Sequence, residues 1–181
     1  AAVTDDPIGN LSVRTLMRVY LPATLAMIQE MVAAPDGSFG AVGGTGFALT
    51  PALREAYVSG DEEELEEVAL REAARASLRL LGADESDLPL RRVVVVADAE
   101  ATVRPDLDDA VVKVAGPVAQ ADIVAVHVDG ADAEKAVMAA VALIDAADLG
   151  DEEGELAIGD VEDHDLGWYA TQELPFLLEL L

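Results

Sequence analysis

Met17-Arg18-Val19-Tyr20-Leu21-Pro22-Ala23-Thr24-Leu25 joins a strand to a helix with almost no loop between them, and the rest of the chain is read outward from it. Val19, Tyr20 and Leu21 favour a strand over 17–21, because branched and aromatic side chains pack well on a pleated surface. Pro22 has no N–H to give a ladder, and its fixed φ suits a helix start, so the strand is expected to stop there. Thr24 can cap a helix over 23–34, in which Leu25, Ile28 and Val32 recur at i, i+3 and i+7.

Downstream segments extend the pattern. Pro35 ends the first helix, and a stretch with Gly37, Gly40, Gly43, Gly44 and Gly46 follows. No Lys-Ser or Lys-Thr pair comes after it, so it reads as a surface loop and not as a phosphate cradle, with a short strand at Phe47–Leu49. Thr50-Pro51 starts a helix over 51–59, and Asp61 with Glu64 makes a capping box for a longer one over 61–81. Leu70, Ala74, Leu78 and Leu81 form its expected buried stripe. Val93–Ala97, inside a strand over 92–97, lacks alternation and is therefore expected at the centre of the sheet. Asp98–Pro105 reads as a polar connection, and further strands are expected over 110–115 and 122–128. The last of these sets Val124, Val126 and Val128 on one face and Ile123, Ala125 and His127 on the other. A helix over 131–149 buries Val137, Val141 and Ile144, and residues 151–165, with eight acids and His164, read as a solvated acidic loop. The sum is a single α/β domain over 17–181, a mixed sheet of four or five strands with packed helices, preceded by a loose leader over 1–16.

Composition narrows the classes of function. The formal charge is −25, from 36 acidic and 11 basic residues, which argues against binding to nucleic acid or to anionic membranes. Codon bias in a GC-rich genome and adaptation to high salt both account for such acidity. There is no cysteine, so disulfides and thiolate metal sites are excluded. No apolar run is long enough to span a membrane and no signal peptide is visible, which gives a cytoplasmic expectation.

Few residues suggest chemistry. Arg71, Arg75 and Arg79 follow one helix face and Arg91 and Arg92 come soon after, giving +1 over 71–92 in a strongly acidic chain. They are anion-binding candidates, since guanidinium groups suit carboxylates and phosphates, and pairing with local acids is the structural alternative. Tyr20, Thr24 and Asp98 would lie near strand ends and are pocket candidates. His127 reads as a histidine satisfied near a strand end, with no second histidine nearby in sequence. Asp160, Glu162, Asp163, His164 and Asp165 fail the spacing of a calcium loop, so no metal site is assigned and no cofactor is implied. Ser12, Ser38, Ser59, Ser77 and Ser86 lack a nucleophile-elbow context. Trp168, Tyr169 and Phe176, three of the seven aromatics, crowd a leucine-rich tail that either folds back on its own domain or makes a partner contact.

The opening Met17–Leu25, the segment Thr50-Pro51-Ala52-Leu53-Arg54, and Glu162-Asp163-His164 with Leu166-Gly167-Trp168-Tyr169-Ala170-Thr171-Gln172-Glu173-Leu174-Pro175 resemble an uncharacterised family of small acidic actinobacterial proteins, over most of residues 17–178. Residues 1–16 and the Gly-rich loop look like additions to that family's pattern. The resemblance implies a cytoplasmic bacterial protein of this size and brings no activity, cofactor or catalytic residue. The favoured expectation is a non-catalytic interaction or regulatory protein that pairs with itself as a homodimer or with another protein. The alternative is a small-molecule enzyme acting on an anionic substrate.

Overall fold

A computed structural model describes residues 2–5, 11–57 and 59–181. At the predicted junction, Thr24 Oγ1 accepts the Met27 N–H at 3.3 Å and caps α1 (Leu25–Ala33). The strand ahead of it, β2 (Leu11–Ala23), does not stop at Pro22. It pairs antiparallel with β4 (Val93–Val103), Pro22 opposite Val94 and Ala23 opposite Val93. The Ser77 hydroxyl bridges the end of this ladder, donating to the Ala23 carbonyl at 2.8 Å and accepting the Val93 N–H at 3.1 Å. Alternation then turns the Pro22 nitrogen away from β4, toward an edge where β2 pairs with no described residue beyond Tyr20, so no ladder bond among them is lost.

The α/β reading stands, with more strands than expected and every ladder antiparallel where a mixed sheet was anticipated. The remaining strands are β1 (Ala2–Asp5), β3 (Thr45–Phe47), β5 (Val111–Val114), β6 (Ile123–Val128) and β7 (Gly167–Tyr169). Of the segment expected as a leader, Ala2–Asp5 pairs with Leu11–Arg14. β4 is central as expected, with Val93, Val94, Val95 and Ala97 wholly buried. It also runs through Asp98–Val103, which was anticipated as a connection, because its second half finds a new neighbour. Val93–Ala97 pairs with β6, while Ala101–Val103 pairs with β5. β5 pairs with β3 and β3 with β2, so β2, β3, β5 and β4 close into a ring. Gly46 is needed where that ring is tightest: an added Cβ would stand 2.7 Å from Leu21 Cδ2.

Both faces of the sheet are covered. Val19, Leu21, Val93, Val95, Val126 and Val128 pack with Leu25 and Ile28 of α1 and with Leu174 and Leu177 of α6 (Leu174–Glu179). On the opposite face Tyr20, Val94 and Val96 lie under Ala69, Ala73 and Ala74 of α3 (Glu62–Gly82). Alanine there lets α3 approach closely, and it shifts the buried stripe so that Leu70 is left half-buried. The helix α2 (Pro51–Ala56) is shorter than the expected 51–59, and Val58 lies outside the described residues. α4 (Glu134–Asp148) and α5 (Glu152–Glu162) pack on the far end of α3 through Ile144, Ile158 and Val161.

α5 corrects the loop expected over 151–165. Asp151 caps it by accepting the Gly154 N–H at 3.0 Å, and Ala157, Ile158 and Val161 are buried while its acids face water. Charge density hid an apolar stripe of only three side chains. β6 corrects the assignment of faces: a bulge opposite Val96 and Ala97 skips Val124, which is exposed, and turns Ile123 into the core with Val126 and Val128.

Candidate functional site

The sequence-derived arginines separate into two kinds. Arg75 and Arg79 share Asp148, at 3.0 and 2.8 Å, and Arg75 also reaches Glu155 at 3.3 Å, so they fasten α3 to α4 and α5. These two guanidiniums, Arg79 foremost, hold the Asp148 carboxyl down to about 2. Arg91 pairs with Glu134 at 3.0 Å. Arg92 is buried, its side chain 4% exposed, against Asp129 at 0%. Its Nε and Nη2 donate to the two Asp129 carboxylate oxygens at 2.8 and 2.7 Å, its backbone N–H donates to the same carboxylate, and Nη2 also donates to the His164 carbonyl at 2.7 Å. That side chain therefore pins the chain ahead of β7 to the starts and ends of the central strands. Arg71 alone of the five has no carboxylate within ion-pair distance among the described residues.

Arg71 opens onto a cleft of about 360 Å³ between α3, β6 and the segment that follows α5. Glu67, Leu70, Arg71 and Ala74 of α3 make one wall, because positions three and four apart share a helix face. Arg92 and His127 form the inner end, and Glu162, His164, Asp165 and Leu166 form the third side. His127 reaches the cleft because it pairs with Val94, placing it on the face of the sheet that α3 covers. Burial pushes its pKa below the usual histidine value, against a smaller opposing pull from Glu67, so the ring is neutral at pH 7. No described residue hydrogen-bonds that ring, and no side-chain nitrogen or oxygen among the described residues is buried without a partner, so its nitrogens stay open to solvent. Trp168 is its cross-strand neighbour on β7 and is 59% exposed beside the cleft. One residue further along α3, burial and then the charge of Asp108 raise the Glu72 pKa, against the pull of Arg75 and Arg79 and with a smaller push from Glu162.

The cleft holds both histidines of the chain, 37 residues apart in sequence. Each stands beside acids, in His127-Val128-Asp129 and Asp163-His164-Asp165, and that shared setting was the one signal available for connecting them. Among the described residues, no three His, Asp or Glu side chains are placed to hold a metal ion.

The pocket candidates do not meet. Tyr20 is buried beneath α3, its hydroxyl pushed up to about 12 chiefly by burial. Thr24 caps α1, and Asp98 pairs with Arg18 at 3.1 Å across β2 and β4. The aromatic tail divides as well. Tyr169 packs into the core behind Val126, while Trp168 faces the opposite side of the sheet. Leu174 and Leu177 fold back onto the domain, and Phe176 points outward from α6, 68% exposed.

These features define an α/β domain with an antiparallel sheet and a polar cleft under its longest helix. The chain belongs to the family of unknown function DUF6912, whose model matches residues 17–178. Comparison with curated proteins and with solved structures gives no match. No helix among the described residues is long and apolar enough to cross a membrane.

Proposed function

We propose that the chain is a non-catalytic interaction protein of the cytoplasm that works as a homodimer, joined through the outer surface of α1 and α6. One observation carries this reading: that layer is almost without charge in a molecule of −25. Residues 23–34 contain one charged side chain, Glu30, and residues 174–181 contain one, Glu179. Outward from the layer stand Phe176 at 68%, Leu180 at 84% and Val32 at 39% exposure, the first two one turn apart. Two copies of so acidic a molecule repel each other over most of their surface. A face that brings apolar area and almost no charge is where a second copy can approach. A basic partner would gain more on the acidic surfaces elsewhere.

Light scattering across a dilution series tests this. The expected result is twice the chain mass at high concentration, falling to a single mass for Phe176→Glu and Leu180→Glu with helix content unchanged. A single mass for the unaltered chain at every concentration would overturn it. Leu174→Ala is the contrasting variant, since that side chain is buried against the sheet and its loss should cost about 2–5 kcal/mol of stability.

A further inference from the structure

The cleft under α3 presents two solvent-facing polar groups that pair with no described residue, and they differ in what they can bind. Arg71 is a fixed cation with no carboxylate in reach among the described residues, although four of the other basic side chains on or beside α3 have found one. His127 is half-buried and without a hydrogen bond from any described residue. Around them the same cleft presents three carboxylates, Glu67, Glu162 and Asp165, none of which is in an ion pair among the described residues. Arg92 adds no free charge, because Asp129 neutralises it, but it fixes the His164 carbonyl and so holds the third wall in place. Leu70 and Leu166 supply apolar contact.

We infer that this cleft is a binding site for a small zwitterion of the amino-acid type, its anionic end on Arg71 and its ammonium end among Glu67, Glu162 and Asp165. A simple anion would satisfy the guanidinium yet sit in the field of three carboxylates. A simple amine would meet the repulsion of Arg71 with no anionic end to offset it. Only a molecule with both charges satisfies both sets, and planar guanidinium recognition of a carboxylate fixes its orientation. The neutral His127 ring can donate from one nitrogen or accept at the other, so it suits a polar atom between the two ends. A volume of about 360 Å³ accommodates a molecule of that size.

Calorimetric titration of the full chain with the common L-amino acids tests the proposal, each hit being repeated with its des-amino carboxylate and its decarboxylated amine. The expected result is binding of at least one amino acid, with both single-charge relatives far weaker. Arg71→Gln should weaken it roughly ten- to hundredfold, since a hydrogen bond to a charged group is lost. His127→Phe should weaken it by a smaller factor. Arg71 lies on the exposed side of α3, so unchanged circular dichroism separates loss of binding from loss of fold. Binding of the carboxylate as tightly as the amino acid would overturn the zwitterion assignment. No heat with any amino acid, or full binding by Arg71→Gln, would overturn the site.

Discussion

Ser77 shows how much one side chain can settle. Its hydroxyl occupies the last rung between β2 and β4, serving a carbonyl and an N–H that no water reaches. Ser77→Ala should therefore cost roughly 1–3 kcal/mol in denaturant unfolding, far above a surface Ser→Ala change, because two buried backbone groups lose a partner. Nothing in the sequence marked it; serine inside a helix is ordinarily a neutral surface residue. Asp148 makes a prediction about pH. Its carboxyl, held down to about 2 by Arg79 and Arg75, contributes stability that is whole above the unfolded carboxylate value. That contribution is lost as the pH falls through about 2, and unfolding curves of Asp148→Asn should show a shallower decline between roughly pH 4 and pH 2. The paired arginines were legible as candidates, but their division was not. Which guanidinium stays free depends on where α4 and α5 come to rest, and that information is far away in the chain.

Elements written in strong local chemistry were found where expected: the Thr24, Thr50 and Asp61 caps, the central Val93 strand, the helix ending in Gly82. Elements decided by neighbours were not. Pro22 stays in a strand because the ladder alternation turns its nitrogen outward. Asp98–Val103 continues β4 because β2 and β5 are there to receive it. α5 forms under a dense acidic surface because three apolar side chains reach α3 and α4. The cleft was illegible for the same reason, since its walls come from α3, β6 and the segment before β7. The Arg92–Asp129 pair joins those elements, and Asp129→Ala should cost about 3–5 kcal/mol by stranding a buried guanidinium. If thermal or denaturant unfolding of that variant matched the unaltered chain, the pair would be holding nothing together.

Across the whole molecule, the charge of −25 opposes both compactness and association. Added salt should therefore raise the melting temperature, by roughly 2–4 °C for each kcal/mol of repulsion screened, and should tighten self-association. A dimer held mainly by ion pairs would weaken instead, and sedimentation at low and high salt tells the two apart. The acidity was read as a constraint on partners, but composition alone could not show where the surface is free of it. That required knowing that residues 23–34 and 174–181, at opposite ends of the chain, share one layer.

The ladder of β2 with β4 has a kinetic corollary. Arg18 lies opposite Asp98, 80 positions later, so the first long strand emerges from the ribosome well before its mate. Until then its apolar side is without cover, and closing so large a loop should confine refolding to the millisecond-to-second range typical of non-local pairing. Nascent chains cut before residue 93 should accordingly be clients of holding chaperones, whereas those extending past 103 should release them.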